Sequence, residues 1–224
     1  MIVKSNGIVL NYVKYGDTSI IVKIFTEELG YGSYIVNSIR SPRSKKSIGH
    51  FQPFSILELI LYVKESRDLQ RVSDFKSHFP FHQIQENFTK SSITLFLTEV
   101  LSKLLQAEPA NPPLYQFISE SVQVFNYLEQ GIENFHLQFL MKIASFLGFG
   151  LDEFEILFTS LDQLVPHHEG AHVWELLINE PYGVEILLNR KIRNQILDSL
   201  IGYYRHHANL AIPKSLEVLR SVLS

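Results

Sequence analysis

The hydrophobic period of this chain changes once, from 2 to 3.6, between residues 76 and 88, and that change limits what the chain can fold into. Ahead of it, GIVLNYVKYG, TSIIVKIFTEELG, GSYIVNSIR, FSILELILYV and DLQRVSDFK are short runs rich in Ile, Val, Tyr and Phe, each bounded by turn residues. Such runs read as strands, because branched and aromatic side chains fit a pleated, half-buried surface. Gly16-Asp17 and Glu28-Leu29-Gly30 are hairpin turn signals, and Leu57, Leu59, Leu61 and Val63 set against Glu58 predict one buried face and one wet face. Five short antiparallel strands predict a small barrel; the OB-fold, an SH3-like barrel and a curled open sheet all satisfy the pattern.

Beyond the change, Ile93, Leu97, Val100, Leu101, Leu104 and Leu105 form a helical stripe. A second helix opens where Asn111 can cap and Pro112 can occupy the first turn, and it stops at Gly131. A third carries Phe135, Phe139, Ile143, Phe146 and Leu147 and ends at Gly148. Asp152 caps a fourth, with Phe154, Leu157, Phe158, Leu161 and Val165, which Pro166 ends. An irregular stretch from His167 to about Leu188 follows. Asn189 then opens a fifth helix striped by Ile192, Ile196, Leu200, Tyr203 and His207, and a short sixth runs from Ser215. No period repeats between helices, so a bundle is expected. The predicted class is α+β in two domains: a five-stranded barrel over residues 1–79 and an all-α bundle over 80–224, divided near Phe79-Pro80.

Charge separates the same two parts. Residues 1–80 hold 11 Lys/Arg against 7 Asp/Glu and residues 81–224 hold 9 against 16, so net charges of +4 and −7 lie within an overall −3. Between two predicted strands, Arg40, Arg43, Lys45 and Lys46 place four cations and no acid in seven residues. This is the electrostatic form of a phosphate-backbone contact, and it also suits a solvated surface loop. Lys14, Lys23, Lys64, Arg67 and Arg71 extend the footprint if they share its face. Tyr12, Tyr15, Tyr31 and Tyr34 offer rings for unpaired bases, with Tyr12 and Tyr34 best placed within strands; cross-strand packing is the competing role for all four.

Other function classes are narrowed by absences in the sequence. With no cysteine there is no disulfide, thiolate nucleophile or cysteine zinc site. No apolar run is long enough for a membrane span, and MIVKSNGIVL lacks the apolar core of a secretory signal, so a cytoplasmic location without a membrane partner is expected. His167, His168 and His172 with Glu169 form the one metal-like cluster, but imidazoles after Pro166 also read as exposed polar residues; no metal or other cofactor is expected. His168 with Asp162 lacks an accompanying serine motif or glycine-rich phosphate loop, so a non-enzyme is expected.

Several separated stretches resemble the RecO family of recombination mediators in bacterial DNA repair. VLNYVKYGDTSIIVKIFTEELG resembles the family's opening two strands, SIRSPRSKKSIGHFQPF its basic loop, ASFLGFG the helix end before its zinc segment, and KSLEVLR its C-terminal signature. The resemblance implies an N-terminal OB-fold that binds single- and double-stranded DNA and anneals complementary strands. It also implies a helical domain that docks partners: the acidic C-terminal tail of single-stranded-DNA-binding protein, RecR and, indirectly, RecA, in a cytoplasmic, nucleoid-associated setting. Docking such a tail needs an apolar pocket beside a cation, and Lys103 and Lys142, taken as the basic residues of the first three helices, are the candidates. Two departures stand out. The four zinc-binding cysteines of many members are missing, so residues 151–188 are expected to form a helix and a loop instead. Ser38 stands where many members have Gly, so the basic loop is expected to begin with a different shape. Two other readings stay open: a scaffold whose barrel binds a peptide or an acidic protein, and a metal-dependent hydrolase built on the histidines.

Overall fold

In a computed structural model of the chain, the described residues are 1–42, 44, 46–64, 66–78, 82–106, 108–150 and 173–223. Five strands form in the first part: β1 (Ile2–Tyr15), β2 (Ser19–Thr26), β3 (Gly30–Val36), β4 (Ile56–Tyr62) and β5 (Leu69–Ser77). They close into a barrel in the order β1-β2-β3-β5-β4, with β3 and β5 parallel and every other pair antiparallel. This barrel is an OB-fold.

Alternation fills its interior. Ile20, Val22 and Ile24 of β2, Tyr34 and Val36 of β3, Leu57, Leu59 and Leu61 of β4, and Val72 and Phe75 of β5 share one core, closed by Phe51 from a 3-10 turn at Ile48–Phe51. Glu58 stays exposed, as the pattern predicted. Two glycines are required by close approaches. A Cβ on Gly7 would lie 2.6 Å from both Ile24 and Leu59 inside the barrel. Gly30, at φ +71°, would put one 2.3 Å from the carbonyl oxygen of Glu108, to which the Tyr31 amide donates.

Seven helices follow among the described residues: α1 (His82–Glu86), α2 (Phe88–Leu104), α3 (Pro112–Tyr127), α4 (Phe135–Phe146), α5 (Val173–Asn179), α6 (Arg190–Ala208) and α7 (Leu216–Val222). Both predicted asparagine caps form. Asn111 Oδ1 accepts from the Leu114 amide at 3.2 Å, and Asn189 Oδ1 from the Ile192 amide at 3.0 Å, each satisfying an orphan donor of a first turn. The chain folds as two compact units, Met1–His82 with Leu97–Ser119, and Gln83–Phe96 with Glu120–Ser224. In the second unit, Phe125 and Phe135 stack with centroids 4.0 Å apart, and Tyr182 lies 4.7 Å from Phe135. Asn134 joins separate segments there by donating to the Ile186 carbonyl and accepting from Arg193.

Several boundaries differ from the sequence reading. β1 begins at Ile2, because its first residues pair with the end of β4, Ile2 opposite Tyr62. β3 ends at Val36, and residues 37–40 form a turn in which Ser38 adopts φ 56°. That is the left-handed conformation a glycine takes easily, so the serine keeps a glycine-type turn at the start of the basic loop. Helices α1 and α5 were not foreseen. They are short, and α5 lies in a stretch read as irregular, although Val173 and Leu177 are buried one helical turn apart. The helix expected over 152–165 lies outside the described residues.

Candidate nucleic-acid interface

Because Ile20, Val22 and Ile24 point into the barrel, Ile21 and Lys23 point out, and by the same alternation so do Ser33 and Ile35 of β3. Strand register extends these into two rows on the outer surface. Lys23, Ser33 and Leu69 make one; Ile21, Ile35, Arg71 and Tyr62 make the next. Lys23 Nζ donates to Ser33 Oγ at 2.7 Å and lies 5.5 Å from the Tyr31 ring centroid. In OB-folds the β2–β3 face and the loops after β1 and β4 are the surfaces that take oligonucleotides.

The loop from β4 to β5 is shaped by one side chain. Gln70 accepts from the Lys64 amide at 2.8 Å and donates both to the Lys64 carbonyl at 2.9 Å and to the Arg67 carbonyl. That clamp presents Lys64 and Arg67, which with Arg71 are exposed around a groove of about 400 Å³ that also takes in Asn37, Tyr62 and Ile35. Three of the cations singled out in the sequence thus meet at one place, and Asn37 ties it to the basic loop.

The β1–β2 turn is held to that loop. Ser19 Oγ donates to Asn37 and accepts from the Ser38 amide, both at 3.4 Å, and the Arg40 amide donates to the Thr18 carbonyl at 2.8 Å. The Arg40 guanidinium donates to the carbonyls of Asp17 at 2.7 Å, Ser19 at 3.3 Å and Gly16 at 3.5 Å. Its charge stands at the turn, with both terminal nitrogens donating to main chain. Lys14, near the end of β1, is exposed beside the same turn.

Lys46 lies elsewhere. Its Nζ donates to the Asp74 carboxylate and the Phe75 carbonyl and sits 4.3 Å from the Phe75 ring centroid. The bond from Lys46 holds the Asp74 carboxyl below the usual carboxylate range. This side of the barrel is acidic: a groove of about 470 Å³ gathers Glu27, Glu28, Glu58 and Asp74 against Lys4 and Lys76. Four carboxylates thus gather on one side of the barrel beside Lys4, Lys46 and Lys76, while Lys23, Lys64, Arg67 and Arg71 lie on the β2–β3 face and the β4–β5 loop, with the exposed Asp68 among them. Arg43 and Lys45 lie outside the described residues, as do His167, His168, His172, Glu169 and Asp162.

The tyrosines sort differently from the sequence reading. Tyr34 is 2% exposed, and burial raises its hydroxyl pKa, so its ring presents no face to a base. Tyr12 packs against the barrel core with part of its surface exposed. Tyr15 and Tyr62 are 50% and 42% exposed. Tyr62 was missed, although its place beside inward Leu61 and two residues before Lys64 marks it as outward and near charge.

Among the helices, Lys103 is exposed in the last turn of α2. Lys142 Nζ donates to the Glu180 carbonyl at 2.6 Å and lies 4.9 Å from the Tyr182 ring centroid, and burial lowers its pKa. A third lysine, Lys90, also belongs to the first long helix. It is buried, donates to the Asn126 carbonyl at 2.7 Å, and desolvation lowers its pKa. The sequence reading passed over Lys90, and it passed over a cleft of about 600 Å³ in the second unit. There Ile201, Ile212 and Pro213 meet Arg205, Lys214 and Arg220, with the carboxylates of Glu217 and Asp198 also in its wall and Arg220 bonded to Asp198. That cleft joins apolar surface to cations, the combination a carboxylate-bearing apolar peptide needs. No described helix is long and apolar enough to cross a membrane.

Comparison with known proteins adds to this geometry. Residues 1–81 match the family pattern described as Recombination protein O N terminal, and residues 85–159 match that of Recombination protein O C terminal. The chain is 33% identical to the DNA repair protein RecO of Phocaeicola vulgatus over 100% of both chains. It is 32% identical to that of Bacteroides fragilis over 99% of both, and 32% identical to that of Flavobacterium psychrophilum over 100% of both.

Proposed function

The chain belongs to the RecO family, and from that premise we propose that it is a DNA repair protein of homologous recombination, which grips DNA through the β2–β3 face of its OB-fold and the loops beside it. The mechanism is binding, with no bond made or broken. Cations on one side of the barrel draw in the phosphate backbone, while the carboxylates on the acidic side repel it, so DNA is oriented as well as held. Neutralised phosphates let two complementary strands approach and anneal. With RecR, the protein helps load RecA onto DNA coated by single-stranded-DNA-binding protein. The cleft lined by Ile201, Ile212 and Arg205 is the seat for that protein's acidic, hydrophobic-ended tail. The protein acts in the cytoplasm, at the nucleoid.

One observation carries the DNA reading: Lys64, Arg67 and Arg71 are exposed around one groove on the surface that OB-folds use for oligonucleotides. The test is fluorescence anisotropy of a labelled single-stranded oligonucleotide in a salt series, comparing the wild type with an Arg67→Gln, Arg71→Gln variant. The wild type binds with a steep salt slope, and the variant loses affinity together with about 0.7 of slope for each phosphate contact removed. Absence of wild-type binding at low salt would overturn the reading.

A further inference from the structure

Resting on that reading, we propose that the groove beside Tyr62 is a subsite for one unpaired nucleotide, with its base stacked on the Tyr62 ring and its phosphates held by Lys64, Arg67 and Arg71. Tyr62 is the last residue of β4, and Leu61 and Leu59 point inward, so its ring stands on the outer surface, 42% exposed. Its neighbour across β5 is the exposed Arg71 and its neighbour across β1 is the exposed Ile2, so no aromatic partner covers it in the sheet. Lys64 Nζ stands over the ring, 5.7 Å from its centroid, and in the subsite it shifts from the ring to the phosphate of the base that stacks there. An accessible aromatic face amid cations is how single-stranded nucleic acid is held, since every base has a π-face and every nucleotide a phosphate.

The groove favours an unpaired base. In a duplex both faces of each base are covered by its stacked neighbours, so a paired strand offers Tyr62 nothing to stack on. The subsite also reads little sequence. Gln70, which has a base-reading amide in the groove, spends it on Lys64 and Arg67 of its own loop. A volume of about 400 Å³ lies in the range of small-ligand sites, which limits the groove to roughly one nucleotide.

The test uses the full chain and labelled oligonucleotides in three forms: single-stranded, the matching duplex, and a strand made abasic at every position. On the single strand, Tyr62→Ala weakens binding by about tenfold or more at unchanged salt slope, Tyr62→Phe keeps wild-type affinity, and duplex affinity does not move. The abasic strand binds wild type and Tyr62→Ala alike. Equal binding of the single strand by wild type and Tyr62→Ala would overturn the subsite and leave the DNA reading standing. An equal loss on single strand and duplex would overturn stacking in favour of a general surface effect. If the wild type binds none of the three at low salt, the DNA reading fails and the subsite fails with it.

Discussion

The guanidinium of Arg40 donates to the main-chain carbonyl of Asp17 at 2.7 Å, tying the start of the basic loop to the β1–β2 turn. With Ser19 and Gly16 as further acceptors, the side chain acts on both loops at once and positions the turn beside the DNA face. Arg40→Gln is expected to lower the unfolding free energy of the barrel by roughly 1 kcal/mol, the usual net worth of such bonds. It should weaken DNA binding without reducing the salt slope, because a residue that acts through the turn neutralises no phosphate. Denaturant unfolding and anisotropy titrations on one preparation check both parts, and Arg40→Lys should recover little, since an ammonium cannot span three carbonyls as a planar fork does.

Lys46 and Asp74 give a prediction of the opposite sign. The carboxylate competes with phosphate for the lysine and draws the end of the basic loop onto β5. Asp74→Asn removes the competitor and one acid from the acidic side, so single-stranded DNA should bind more tightly at low salt, with a slope steeper by up to about 0.7. Unchanged affinity and slope in the same titration would mean that Lys46 stays on β5 without its anion, held by the Phe75 carbonyl and ring.

How much of this was legible depended on the distance over which each signal acts. The barrel, its strand order of appearance and the asparagine caps at Asn111 and Asn189 were readable, because alternation and capping are written within a few residues. Tyr34 reads in the sequence as a stacking ring with packing as its competing role, because a tyrosine in a strand suits either side, and only the register with Val22 sends it inward. Arg40 and Lys46 read as two equal members of a basic run, yet their partners lie at Asp17 and Asp74, one strand pair away on different sides. The α6–α7 cleft was invisible for the same reason, since Arg205 and Arg220 are brought together only by the fold.

Ser38 holds a left-handed backbone at φ 56° on an exposed turn, where a Cβ is crowded and a glycine is not. Ser38→Gly relieves about 1 to 2 kcal/mol of that cost but adds back roughly 0.5 to 1 kcal/mol through the freer unfolded chain. The net expectation is stabilisation by up to about 1.5 kcal/mol, read as a higher urea midpoint at unchanged slope. Ser38→Ala should lie close to wild type, because it keeps the Cβ and the amide that donates to Ser19.

His136 is fully buried in α4, its ring edge-on to Phe96 at 6.2 Å, and neither ring nitrogen has a hydrogen-bond partner among the described residues. Desolvation, with Arg193 nearby, pushes its pKa down to about 3 from an ordinary value of 6.5. The unfolded chain therefore takes up a proton below about pH 6.5 that the folded chain refuses. Stability present at neutral pH is lost as pH falls, by at most about 1.4 kcal/mol per unit, until the folded-state value is reached. Between pH 7 and pH 5 the wild type should lose up to about 2 kcal/mol from this residue alone. His136→Leu, of similar volume and without a titrating ring, should flatten that fall while exposing no buried donor. The measurement is urea unfolding of both proteins at the two pH values. Parallel losses in wild type and variant would assign the acid sensitivity to the surface carboxylates and remove His136 from the account.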